Sequence, residues 1–278
     1  GGGSGDRVFF TQATKGSANP DVCYLSYAAN AVFSNTELYH SEPFSLEIKT
    51  QNADGVIRYT TDGSKPTEQS TEYTGAITIS SNTVIRAATF VSGMMPSDVA
   101  TATYLFETPH SVPVVTLAMN QKDFDDVYAV SSPFVPVVER EGHIQYFEKD
   151  GSLGVETSAG IRVSGASTRR YPQKSLALMF RSGYGRKTVT YPFFGNDYIK
   201  TFGSLVLRNA GQDCLNTRIR DSFTSTAVLD MNIDSSAATF CAVYINGRYW
   251  GLYDLKENMN KDYLAAHYGV DEDTVNII

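Results

Sequence analysis

The chain has 278 residues, 42% of them hydrophobic, and a net charge of −7, enough for two domains of ordinary size, each with its own core. Residues 1–106 carry 6 basic and 10 acidic side chains and residues 107–278 carry 17 and 20, so neither half is a basic module and general nucleic-acid binding is excluded. No apolar run is long enough to cross a membrane as a helix and no signal peptide is visible; Cys23, Cys214 and Cys241 form neither a disulfide scaffold nor a metal pattern, leaving one Cys214–Cys241 disulfide as an open reading.

The opening GGGSG reads as a tag remnant or linker, which places the natural N-terminus upstream and leaves export open. Residues 7–40 follow as a strand and connector: Val8, Phe9 and Phe10, a Gly-Ser-Ala-Asn-Pro break, then apolar residues from Cys23 to Phe33. Residues 41–107 alternate strands with turn signals: FSLEIKT, VIRYTTDGSKPT, GAITIS, TVIRAATFV and SDVATATYLF. That spacing predicts a small antiparallel β-sandwich of immunoglobulin-like type. Pro109 and Pro113 mark a boundary, because proline restricts the preceding residue.

Residues 108–278 predict a second, sheet-plus-helix domain. VPVVTLAM reads as a buried strand, and Asn120 as the N-cap of a helix with acids in its first turns. PFVPVVERE and HIQYFEKDGSL make a strand pair with a turn at Asp150-Gly151. Two strands follow over Ala159–Phe180 and one over Phe202–Arg208. Asn216–Met231 is the main helix candidate, its apolar stripe formed by Ile219, Phe223, Ala227, Leu229 and Met231. ATFCAVYIN and YWGLYDLKE flank a two-residue hairpin turn at Asn246-Gly247, and a last helix ends at Gly269, with a strand starting after it. The fold class is thus α+β and β-rich.

Chemistry concentrates in Gly160–Phe180, GIRVSGASTRRYPQKSLALMF, which reads as strand, glycine turn, basic tip and strand. Thr157–Asn196 contains no Asp or Glu but seven basic residues, among them Arg162, Arg169, Arg170 and Lys174. In an acidic protein that is a local anion-seeking surface. Backbone amides at Gly165–Thr168 with a lysine on the next strand would suit a phosphate group, but the turn matches no phosphate-loop signature, and a basic hairpin on a solvated sheet explains it as well. Trp250, with Tyr249 and Tyr253, reads as core aromatics. His143 and His267 belong to no triad or metal spacing.

Two resemblances sharpen these readings. IRYTTDGSKPT with TVIRAATFVSGMMPSDVATATY resembles the chitobiase/β-hexosaminidase C-terminal-like module of secreted carbohydrate-active and cell-surface proteins, and TQATKGSANP is similar to the exit from a lamin-tail-like β-domain. Under the first, Tyr59 and Asp62 read as a sugar-contacting edge, although turn chemistry and a packed aromatic suffice. GIRVSGASTRRYPQKSLALMFRSGYG, YPFFG, LVLRNAGQD, RIRDSF and VYINGRYWGLYDLKENMNKDYLAAHYGVD together resemble the spore-coat protein H (CotH) kinase-like family over roughly residues 112–278.

The CotH resemblance implies the first lobe of an atypical, secreted protein-kinase-like fold. ATP with Mg or Mn is the implied cofactor set, and a protein Ser/Thr phosphoacceptor the implied partner. Carried over by position, Gly165, Ser167, Thr168 and Arg169 form the phosphate-side turn and Lys174 the strand lysine at the ATP phosphates. Arg208, Asn209 and Asp213 would order the pocket, Asp221 would pair with Lys174, and Glu257 would face adenine or ribose at the passage between lobes. Trp250 and its neighbours stay structural. In the family, the acids that orient the acceptor and hold the metal follow the point where this sequence stops. The expectation is therefore an exported bacterial kinase of which this chain carries no catalytic residue, no metal ligand and no phosphotransfer activity by itself. The competing reading is a non-catalytic cell-surface or carbohydrate-associated adhesion module whose partner is a surface glycan.

Overall fold

A computed structural model describes residues 24, 26–228, 230–231, 233–271, 273–275 and 277. The expected strand at Val8–Phe10, the lamin-tail-like segment, Cys23 and Leu229 lie outside the described residues. The chain divides into two compact units, Gly1–Glu107 and Thr108–Ile278.

Among its described residues the first unit has only strands as regular elements. Its strands are β1 (Val32–Phe33), β2 (Phe44–Leu46), β3 (Ile48–Lys49), β4 (Val56–Thr60), β5 (Thr71–Glu72), β6 (Ile77–Ile79), β7 (Thr83–Phe90) and β8 (Ala100–Tyr104). A four-stranded sheet in the order β5-β4-β7-β8 and the pairs β1-β3 and β2-β6, all antiparallel, share one core containing Leu46, Ile57, Ile79, Ile85 and Tyr104. The alternation visible in the sequence supplies that core. Asp62 accepts from the backbone and hydroxyl of Ser64, and buried Arg86 donates to the Gly63 carbonyl at 3.0 Å. Tyr59 packs against the core, so both candidate sugar contacts are engaged in turn and packing roles.

The second unit contains β9 (Val114–Ala118), α1 (Gln121–Tyr128), β10 (Arg140–Phe147), β11 (Leu153–Val163), β12 (Leu176–Met179), β13 (Val189–Thr190), β14 (Thr201–Phe202), β15 (Ser204–Arg208), α2 (Arg220–Ala227), β16 (Ala238–Ile245), β17 (Arg248–Glu257) and α3 (Lys261–Tyr268). Seven strands close a barrel in the order β10-β11-β12-β15-β17-β16-β9, antiparallel except where β9 meets β16. Closure leaves no exposed edge among these strands. Leu117, Ile144, Ile161, Leu178, Leu207, Val243 and Leu255 fill the interior, the inward half of a period-2 pattern. Asn120 caps α1 by accepting from the amides of Lys122 and Asp123, and Gly269, at φ 66°, ends α3.

Three expectations are corrected. Residues 131–139 form no strand, and β10 begins at Arg140; two prolines in SSPFVPVVE remove the amides a ladder needs. The main helix is α2, only Arg220–Ala227, and it turns its apolar stripe outward: Phe223 is 70% exposed while Ser222 is buried. The reason is electrostatic, because the barrel face beneath α2 presents Asp254 and Lys256, which Ser222, Asp221 and Ser225 satisfy. No strand follows α3 among the described residues.

The hairpin after β16 matches its expectation and yields a test. Asn246 (φ 50°) and Gly247 (φ 77°) adopt the left-handed turn conformations that Asn-Gly favours. The Asn246 side chain also accepts from the Met119 amide at 3.0 Å and donates to the Met119 carbonyl at 2.9 Å. Asn246→Ala removes both bonds and puts a poorer left-handed residue in the turn, so an expected loss of about 2 kcal/mol follows, read by denaturant unfolding.

Candidate functional site

The barrel positions its chemistry by strand alternation. On β12, β15 and β17 the inward residues Leu178, Leu205, Leu207 and Leu255 belong to the core, leaving Ala177, Met179, Val206, Arg208, Asp254 and Lys256 on the outer face. Register aligns Ala177 with Val206 and Val206 with Lys256, and sets Arg208 opposite Asp254. Ala177, Met179 and Val206 form a small apolar cluster of their own. This face therefore carries an apolar row that becomes charged toward the end of β15.

α2 completes the charged end. Asp221 accepts from Arg208 Nε at 2.5 Å and from Lys256 Nζ at 3.0 Å. Lys256 is only 5% exposed and also donates to Ser225 at 2.9 Å. Burial opposes ionisation of Asp221, but Arg208 and Lys256 outweigh it and hold the carboxyl below its ordinary value. Asp254, bound by the Ser222 hydroxyl at 2.5 Å, has its pKa raised by burial.

Beside this network lies a cleft of about 460 Å³ lined by Gly165–Thr168, Arg208, Ala210–Asp213, Arg220, Asp221 and Thr224. Gly165, at φ 86°, is required there, since a Cβ would lie 2.6 Å from the Thr168 hydroxyl. Two arginines reach the cleft. Arg208 is paired with Asp221, and Arg220 lies 3.4 Å from Asp213. Asp213 accepts from the Thr217 hydroxyl at 2.6 Å and the Arg220 amide at 3.2 Å, contacts that with Arg220 hold its carboxyl below the ordinary value.

The structure thus brings together Gly165, Ser167, Thr168, Arg208, Asp213 and Asp221. Arg169 stays at the turn, donating to the Ser132 carbonyl at 3.4 Å. Asn209, fully buried, ties the turn's base together through Ser175, Gln173 and the Gly211 amide.

Two placements differ from the sequence expectation. Lys174 does not pair with Asp221. It is buried, and its ammonium donates to the Tyr128 carbonyl at 2.6 Å and the Val130 carbonyl at 3.2 Å while lying 5.1 Å from the Tyr128 ring centroid. It caps the C-terminal end of α1, where the helix dipole and orphan carbonyls attract a cation. Lys256 occupies the expected position beside Asp221. Glu257 lies outside the cleft, buried, accepting from the Ala237 amide, the Tyr198 hydroxyl and His267. Those three partners tie its carboxylate to α3 and to the segments around Ala237 and Tyr198.

Trp250 packs edge-on against Phe124 and Tyr128, as expected of a core aromatic. His143 and His267 each pair with a glutamate. Cys214 and Cys241 are both free thiols, so they form no disulfide with one another. Lys256 and Asp254 were missed by sequence reasoning, although both occupy the outward phase of the alternation in YDLKE. Among the described residues no group of three His, Cys, Asp or Glu side chains suits a metal ion, and the two cleft acids already face cations, so this set does not fit a divalent metal.

Residues 161–278 match the family described as CotH kinase protein, and residues 36–101 match the chitobiase/beta-hexosaminidase C-terminal domain. No curated protein matches the chain.

Proposed function

We propose, from the premise that the second unit carries a CotH-type segment and the first a chitobiase-type one, that this is an exported CotH-like protein kinase whose second unit binds the phosphates of ATP. The observation that carries the reading is one cleft lined at once by a left-handed glycine turn, Arg208 and Arg220. Gly165 lets the backbone approach a phosphate, and the hydroxyls of Ser167 and Thr168 donate to its oxygens. Arg208, already oriented by Asp221, and the more exposed Arg220 neutralise its charge. ATP, when bound, supplies the transferable phosphoryl group to a protein hydroxyl; a metal is not assigned to these residues.

Calorimetric titration with ATP tests this. Arg208→Ala and Arg220→Ala are each expected to weaken binding at least tenfold, consistent with loss of one charge-assisted contact worth about 1.5–3 kcal/mol. Arg220 is 71% exposed on its side chain, so its variant keeps the fold if Arg208→Ala does not. Unchanged affinity in both would overturn the reading. The chitobiase-type match supports surface-glycan association as a second reading; glycan-array binding lost on deleting residues 41–106 would favour it.

A further inference from the structure

A second cavity, of about 1110 Å³, lies between β12, the β13-β14 ribbon and α3. It shares no lining residue with the phosphate cleft. Its walls bring Arg181, Lys187, Lys200 and Lys261 together from four separate stretches of chain, against the two acids Asp262 and Asp273. With Asp262 and Asp273 in the lining and Glu139 on Arg181, four cations face three acids, so the positive character of the rim is carried by its exposed lysines. Asp262 is turned toward Asn260 and lies where a Cβ on Gly203 would meet it, and Glu139 clamps Arg181 in place through two bonds of 2.8 and 3.1 Å. Lys200 and Lys261 are exposed and in no ion pair among the described residues. Met179 and Ile199 give the same cavity an apolar lining.

We propose that this cavity docks an extended acidic peptide bearing a bulky apolar side chain, as a recruitment site separate from the phosphate cleft. The volume exceeds the several hundred Å³ of an ordinary small-ligand pocket. The cations are dispersed along it rather than focused on one point, which suits carboxylates spaced along a chain more than a single anionic group. The apolar side chain fills the Met179–Ile199 lining while Lys200 and Lys261 pair with its acidic neighbours. Such rim pairing sets specificity and on-rate and weakens with salt.

Fluorescence anisotropy with a labelled peptide of alternating Glu and Phe, on the full 278-residue chain, tests the proposal. Binding is expected to fall at least tenfold in Lys200→Glu/Lys261→Glu, to weaken between 50 and 300 mM salt, and to persist with saturating ATP. Both lysines are exposed, so the variant folds; a thermal melt checks that. Equal binding by the variant, equal binding of a Gln-for-Glu peptide, displacement by ATP, or no binding to the parent chain would each overturn it. Displacement by ATP would sink this docking site alone, whereas loss of ATP binding in Arg208→Ala bears only on the phosphate cleft, so the two readings fail separately.

Discussion

Lys256→Met is expected to lower the unfolding free energy by about 3–5 kcal/mol, because it leaves a partly buried carboxylate network without its cation. Lys256 is enclosed at 5% exposure between α2 and the barrel, and its ammonium joins Asp221 and Ser225 beside buried Asp254. Removing it leaves Arg208 as the remaining partner of Asp221 and only the weaker pull of Arg218 on Asp254. The pH dependence carries the sign. Asp221 sits below its ordinary value, so its stabilisation is complete above the unfolded-state pKa of about 4 and is lost as the pH falls below it. Asp254 sits above its ordinary value, so its contribution is complete below about pH 4 and is lost as the pH rises through the raised value. Without Lys256 both acids are pushed upward, and protonation relieves the variant more than the parent. The stability gap between them should therefore narrow from pH 7 to pH 4 in urea titrations. A gap that is constant with pH would mean that Lys256 contributes packing alone. Lys256→Met/Asp221→Asn should recover part of the loss, since it removes the stranded charge along with its partner.

The parts of the fold that were legible in the sequence are those in which local chemistry and tertiary packing agree. Val114–Ala118 of VPVVTLAM is buried throughout as β9, the Asn246-Gly247 turn forms where its dipeptide demands, and Asn120 and Gly269 bound their helices. The α2 stripe failed because helical periodicity identifies the apolar face without identifying what that face meets. Here the barrel offers charges, and the helix turns its polar side to them. The same limit applies at the site. Gly165, Arg208 and Asp221 converge because each sits at the end of an element, and motif order preserves that. Which lysine meets Asp221 depends instead on strand register across three strands, β12, β15 and β17, which pairs Ala177, Val206 and Lys256 in one row. Lys174 precedes that row and points to the other side of the turn. A single sequence carries the alternation that sends Lys256 outward; it does not carry the closure that brings β17 next to β15.

Lys174→Met is expected to cost about 2–3 kcal/mol of stability and to leave ATP affinity within twofold. Its ammonium is the cation at the C-terminal end of α1, a helix with no basic residue in its own last turn. Two carbonyls, of Tyr128 and Val130, lose their donor on substitution, and a buried unsatisfied carbonyl costs about 1–3 kcal/mol. The methylene stem is retained by methionine, so the loss isolates the ammonium from its packing. Burial already lowers the lysine pKa, a cost that the two carbonyls and the Tyr128 ring offset. The backbone amide of Lys174 remains bonded to the Tyr128 hydroxyl at 2.8 Å and the Tyr253 hydroxyl to its carbonyl at 3.0 Å, so the turn holding Gly165 keeps its anchor. Denaturant unfolding and ATP calorimetry on the same variant separate the two possible roles of this residue. A fall in ATP affinity matching that of Arg208→Ala, with stability unchanged, would return Lys174 to the phosphate site and require its side chain to leave the α1 carbonyls when nucleotide binds. A loss of stability with affinity intact would establish it as the cap that holds α1 against the barrel, with the phosphate charge carried by the arginines of β15 and α2.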